Sequence, residues 1–372
     1  MKKSFIPSEY APQNTHRQRM VEALSGKRPD RPPFCWWIGY EPWALTLERW
    51  RQESGMSDLN PKEYFGFEPF SHILWQHYGP FPLFEEKLLH EDAESITKIN
   101  WRGIKERGRK DMGSIPDFLE PPVQTRQDWD RYKEERLQSR LTERLAHLDQ
   151  YLEMVAPVDA PLQVGLFPWG VFGTPRDLLG TEEVLLAFYT EPDLIADIMQ
   201  THVTLWLSIY EEVARKRPID IIHLWEDMAG KNGSLISMKM VREFMMPQYQ
   251  RIASFARAHD IPCFCVDSDG RAEPLFEVMI EYGVNGFWPF EVAAGCDIEA
   301  FRMKHKEIGV CGGLNKAALA KTRKDIGREL DKASRLMAMG GYVPGCDHMI
   351  PPDVSWENYK YFVTEMKKLI GV

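Results

Sequence analysis

The sequence predicts an α/β protein folded as a (β/α)8 TIM barrel with an N-terminal insertion over the barrel mouth. From about residue 157 onward, short apolar runs alternate with longer helical patterns, enough for six or seven strand and helix units. The runs are apolar on both faces, as parallel strands are when helices cover each side of the sheet. No Gly-x-Gly-x-x-Gly follows an early strand, which places the barrel ahead of the doubly wound open sheet, the alternative for such an alternation.

In chain order, RPPFCWWIG (31–39) reads as the first barrel strand. Residues 41–156 fit the alternation poorly. Asn60 and Pro61 mark a helix start there. FEEKLLHED, SITKINWRG and IKERGRK read as short antiparallel strands with polar turns, and the charged stretch from Pro122 to Val155 returns to helix. This stretch is read as the insertion within a single domain spanning 1–372. The later strands are PLQVGLFPWG (161–170), IDIIHLWED (219–227), IPCFCVDSDG (261–270), GVNGFWPFEV (283–292), IGVCGGLN (308–315) and GGYVPGCDH (340–348). Between them, Leu194, Ile195, Ile198, Leu205, Ile209 and Val213 keep helical spacing from Thr190 to about Arg215, with Thr190 offered as the cap. A further helix starts at Ser237.

Composition excludes several classes. The chain has 372 residues, and 44% hydrophobic with 12% aromatic residues fill a core without low-complexity tracts. A formal charge of -9 with scattered Lys and Arg offers no basic surface for nucleic acid or anionic lipid. MKKSFIPSEYAPQNTHRQR lacks an apolar segment after its lysines, and no stretch approaches about 18 uninterrupted apolar residues. The expectation is a cytoplasmic protein with small-molecule chemistry. Six cysteines in a chain this long are too sparse for a disulfide scaffold; Cys263 and Cys265, in an apolar strand, read as buried thiols.

CFCVDSDG, where an apolar strand stops at Asp267 and Asp269, is the most informative stretch, because barrel enzymes place their chemistry at strand C-termini. The same face should carry Trp169, Glu226, Asp227, Glu291, Asn315, Asp347 and His348. Carboxylates that end one strand after another converge on the barrel axis, where burial and mutual repulsion raise their pKa values. Such a group holds a cation or keeps one carboxyl protonated as a general acid beside an ionised partner. Zinc, manganese and magnesium all suit Asp, Glu and His donors, with Asp267, Asp269 and His348 as the candidate ligands. Glu226, Asp267, Asp269 and His348 are the candidate catalytic residues. Trp37, Trp169, Trp225 and Trp288, among other rings at predicted strand ends, suggest a flat or apolar ligand, with Arg176, Glu291 and Asn315 beside it.

DRPPF, FGTPRDLLGTEEVLLAFYTEPDLI, WEDMAGKNGSLISMKMVREFMMPQYQRI, CVDSDGRAEPLFEVMIEYGVNGFWPFE, VCGGLNKAAL and GGYVPGCDHMIPPDVSWENYKYF together resemble the uroporphyrinogen decarboxylase superfamily. The resemblance covers nearly the whole chain and is strongest from about residue 165. It implies one of two branches: uroporphyrinogen decarboxylase itself, or cobamide-dependent methyltransferases that work with a corrinoid carrier protein. It also implies a homodimer. The decarboxylase branch clamps its acidic substrate with Met-Arg-Gln-Ala-Gly-Arg-Tyr after the first strand; here the stretch reads WWIGYEPW (36–43), without arginine before Arg49. His348 matches the histidine of that branch's Gly-His-Gly motif.

The thiol-methylating members hold zinc on a His-x-Cys pair and a later Cys, and the resemblance aligns that pair with Asp267 and Asp269. Hard oxygen donors at those places imply an oxygen-bearing substrate. The resemblance therefore implies a methyltransferase moving methyl from a small methylated compound, such as a methoxylated aromatic, to a corrinoid supplied by a carrier protein, since no Asp-x-His-x-x-Gly motif occurs here. A decarboxylase or lyase acting on a smaller carboxylic acid, using Arg176 and the carboxylates, and a non-catalytic binding barrel are the competing readings.

Overall fold

The apolar runs become parallel strands. The computed structural model describes residues 14–111 and 115–372; the first thirteen residues, which include part of the segment read for localisation, lie outside them. The strands in chain order are β1 (Cys35–Trp36), β2 (Glu68–Pro69), β3 (His72–Ile73), β4 (Lys87–Glu91), β5 (Ser95–Ile99), β6 (Lys105–Arg109) and β7 (Asp117–Glu120). They continue as β8 (Leu162–Val164), β9 (Ile221–Trp225), β10 (Ala229–Gly230), β11 (Gly233–Ser234), β12 (Cys263–Asp267), β13 (Gly286–Trp288), β14 (Gly309–Cys311) and β15 (Tyr342–Val343). One seven-stranded sheet runs β15-β14-β13-β12-β9-β8-β3, with every pairing parallel.

The edges of this curled sheet approach each other through β1. Glu68 N donates to the Phe34 carbonyl at 3.0 Å, β1 pairs with β2, and β2 leads directly into β3. On the other side, Cys346 N donates to the Gly39 carbonyl at 2.9 Å and Pro42 bridges Ile350. The architecture is α/β and TIM-barrel-like. Helices such as Pro192–Lys216, Met246–Ala258 and Arg323–Met339 supply the outer layer through stripes of buried Leu, Ile, Val and Met.

The N-terminal end of the sheet is stopped by the helix His16–Leu24, capped by Thr15 and Gln18 in a reciprocal capping box. Its end packs so tightly on β14 that a Cβ at Gly309 would lie 2.2 Å from the Leu24 carbonyl oxygen. Access is left to the opposite, C-terminal end. All six cysteines are free and buried.

Most sequence-based elements appear where expected, with instructive differences. The stretch 41–156 holds the antiparallel sheet β4-β5-β6-β7, yet it also contains β2 and β3, the latter a strand of the main sheet. Thr190 does not cap the long helix. It ends the preceding helix Thr181–Thr190, its hydroxyl donating to the Leu186 carbonyl, and Glu191 takes the cap position. The helix begun by Ser237 contains a π turn, Val241–Met245, just ahead of Pro247. The proline ring clashes with the carbonyl four residues back in a regular helix, and the wider turn moves that carbonyl aside. Among the described residues no helix is long and apolar enough to cross a membrane.

Candidate active site

Strand alternation sorts the predicted residues into two sets. On β9, His223 and Trp225 point into the barrel with Asp227 beyond them, and Leu224 and Glu226 point outward; successive side chains of a strand must take opposite faces. On β12 the inward positions are Cys265 and Asp267, and on β13 they are Gly286 and Trp288, while Phe287 packs outward on Phe276 and Phe301.

The inward set forms one group at the strand ends. Trp288 Nε1 donates to Asp267 Oδ2 at 2.9 Å, and its ring stacks on His223 at 5.0 Å between centroids. His223 Nε2 lies 4.0 Å from the same carboxylate oxygen. Asp269 Oδ2 lies 3.4 Å from His348 Nε2, whose ring stands 6.3 Å from that of Trp43. Asp227 is held by Arg176, which donates to its carboxylate at 3.0 Å and to its carbonyl oxygen, and the Arg176 guanidinium lies 4.8 Å over the Trp225 ring. Glu291 accepts from Gly270 N at 3.0 Å and pairs with Lys316 at 3.3 Å.

Burial raises the Asp267 pKa well above the ordinary carboxylate range, and the neighbouring charges of Asp269 and Asp227 add to this against the indole hydrogen bond. Burial also raises Asp227, opposed by Arg176 and reinforced by Asp269 and Glu291. His223 is pushed down to about 3 by burial alone, so its imidazole is neutral. The group thus holds a carboxyl that keeps its proton to unusually high pH, beside carboxylates paired to cations.

The remaining predicted residues do other work. Glu226 is wholly buried and accepts from Val171 N at 2.9 Å, Phe172 N at 2.7 Å, Gly173 N at 3.2 Å and Tyr249 Oη at 2.7 Å. Those bonds pin the start of the helix Gly173–Leu179 to β9, so Glu226 stands apart from the strand-end group that the sequence placed it in. Asn315 caps the turn Lys316–Ala318, accepting from Ala317 N at 3.0 Å. Asp347 ties two loops together, accepting from Val292 N at 2.9 Å and Lys316 N at 3.0 Å. Trp37 is buried inside the barrel, donating to the Pro344 carbonyl at 2.9 Å, and Trp169 packs against Trp101 at 6.2 Å.

The uroporphyrinogen decarboxylase (URO-D) family model matches residues 109–369. The chain belongs to the URO-D family. No curated protein matches it. Among solved structures, a methyltransferase from Methanosarcina mazei aligns with a TM-score of 0.61 at 18% identity, covering 96% of this chain and 99% of that one. This likeness agrees in fold with the parallel barrel-like sheet.

This URO-D family member does not bring Asp267, Asp269 and His348 together as a three-donor metal site. Asp269 meets His348, while Asp267 is turned to Trp288 and His223. Among the described residues no group of three His, Cys, Asp or Glu side chains is placed to hold a metal ion. The expected ligand set therefore does not fit a metal in this arrangement.

Two residues of this URO-D site escaped the sequence reading. His223 is the larger omission: neither ring nitrogen has a hydrogen-bond partner among the described residues, which costs about 1–3 kcal/mol for a buried donor. A lone polar residue in IIHLW, two before Trp225 and therefore on its face, was the available signal. Phe70, 5.7 Å from Trp288, was hidden in the bend between β2 and β3, two short strands that the sequence did not reveal.

Proposed function

We propose that this chain is a methyltransferase that takes a methyl group from a small methoxylated aromatic compound and passes it to a reduced corrinoid on a separate carrier protein. The observation that carries this reading is Asp267: a largely buried carboxyl, 17% exposed, oriented by the Trp288 indole, its ionisation disfavoured by burial and by its acidic neighbours, at the end of a barrel strand. A phenoxide leaves poorly unaided, and a positioned acid removes that barrier. The methyl carbon forms its new bond to the cobalt of the corrinoid, the electron pair of the broken carbon–oxygen bond stays on oxygen, and the Asp267 proton goes to that oxygen. The carboxylate then recovers a proton from solvent.

Two further features support the reading. The face carries Asp227, Asp269 and Glu291 and no arginine cluster after β1, so it repels a polycarboxylate porphyrinogen. The Methanosarcina mazei protein of similar fold is a methyltransferase. In this reading the sheet β4–β7 is the insertion over the mouth, resting there through Trp101 on Trp169 and the ion pair of Arg102 with Asp177.

The test supplies purified protein with reduced corrinoid carriers and a panel of methoxylated, methylamine and methylthio donors. Methylated corrinoid and a phenol from the methoxylated aromatics are the expected products. No methylated corrinoid from any donor sinks the reading, and carbon dioxide released from a small carboxylic acid without corrinoid establishes the lyase instead.

A further inference from the structure

At the C-terminal ends of β3 and β8 lies a cavity of about 370 Å³, one of whose lining rings, Phe167, packs on Trp225. Trp75, Tyr78, Trp101, Phe167 and Trp169 supply its rings. We infer that this cavity is the seat of a flat, uncharged aromatic ring, and so holds the aryl portion of the methyl donor while the strand-end carboxyls meet its oxygen. The inference deepens the proposed function and rests on it for the identity of the ligand.

The cavity is built and rigid. The loop 77–79 that forms one wall is fixed from behind by Arg144, which donates to the carbonyls of His77 at 2.6 Å and Gly79 at 2.8 Å, and by Trp206 Nε1, which donates to the Tyr78 carbonyl at 2.9 Å. Trp169 packs against that wall only because residue 79 is glycine; a Cβ there would come within 1.9 Å of the indole. Trp101 meets Trp169 nearly edge-on at 66°, making an aromatic corner, a geometry that accepts a third ring against either face or edge. A wall held this way loses little freedom when a ligand arrives.

Its lip is unsatisfied and its rim carries no surplus charge. Trp75 is 69% exposed and Phe167 57% exposed, apolar area that water covers unless a ligand does. Glu86, the carboxylate of the lining, is paired with Lys98 at 2.9 Å. Burial, then Arg144, lowers the pKa of His77, which favours its neutral form. The cavity also leads to the chemistry: Phe167 packs on Trp225 at 4.6 Å, and Trp225 lies under the Arg176 that holds Asp227.

The test measures binding of anisole and of methoxycyclohexane, the same ether on a saturated ring, by calorimetry to the full chain. The exposed Trp75 leaves the fold intact when replaced, and Trp101→Ala gives an independent second variant. Expected are anisole binding weakened tenfold or more in Trp75→Ala and in Trp101→Ala, and a wild-type preference for anisole of at least threefold. Wild-type affinity for anisole in Trp75→Ala, equal affinity for the two ethers, or no binding of anisole by the wild type overturns the inference. Anisole that binds as described but keeps its methyl group in the presence of reduced corrinoid carrier sinks the methyl-transfer reading and leaves this site standing.

Discussion

Asp267 owes its chemical character to four neighbours on β9, β13 and the loops that follow β9 and β12. Trp288 orients it, His223 gives it a neutral face, and Asp269 with Asp227 makes its ionisation costly. Asp267→Asn keeps the indole contact and removes the proton; methyl transfer should fall by about a hundredfold or more while ligand affinity is kept. The pH dependence follows in sign. The folded pKa is raised above the unfolded value of about 3.9, so the acid form, and with it the rate, is present at low pH and is lost as pH rises through the raised value. Stability moves the same way: the folded state binds more protons, so wild type loses stability over that interval, and Asp267→Asn should melt progressively higher than wild type as pH rises from about 4. Thermal melts at several pH values check this, and parallel curves for the two proteins would count against a raised Asp267 pKa in the folded state. Glu226 is the contrasting residue, with four donors on one carboxylate. Glu226→Gln should lose about 1–3 kcal/mol of stability, read in urea unfolding, because its amide turns a donor toward groups that need an acceptor. The two acids look alike in the sequence, and only their parity along a strand separates them: Glu226 is one residue away from inward-facing Trp225, whereas Asp267 shares the face of Cys265.

At the scale of elements, the turn after β12 explains the glycine that follows Asp-x-Asp. Gly270 has φ +77, and a Cβ there would sit 2.2 Å from the Ala229 carbonyl oxygen of the β10–β11 hairpin. Gly270→Ala forces both a left-handed backbone on alanine and a backbone collision. It should cost about 2 kcal/mol or more and loosen the loop that carries Asp269, read as a lower melting temperature together with weaker ligand binding. The long apolar runs from residue 161 onward were legible because a strand covered on both faces needs a continuous apolar segment. β2 and β3 were not legible: FEPFSHI is broken by Pro69, which ends the ladder with β1, and each piece is only two residues long. The same interruption hid Phe70. The π turn before Pro247 was equally invisible, since sequence periodicity marks the buried stripe and not the one residue inserted into it.

For the whole molecule, the helix His16–Leu24 stops one end of the barrel and the acids, histidines and tryptophans gather at the other, so in the proposed reaction ligand and carrier share a single mouth. The separation of outer helices, parallel strands and acidic strand ends was readable from sequence. The pairing of those acids was not, because it depends on which strands are neighbours and how far each loop turns: Asp269 reaches His348 across four strands of the sheet order, while Asp267 faces His223 on the adjacent strand. The central claim is transfer of an intact methyl group from an aryl ether with Asp267 as its acid. It is tested most directly by following anisole labelled with carbon-13 at its methyl group, by NMR, with reduced corrinoid carrier and either wild type or Asp267→Asn. The account predicts label moving to the corrinoid with one phenol formed per methyl transferred in wild type, and little movement in the variant. Label that stays on the ether in wild type, or moves equally fast in both proteins, contradicts it.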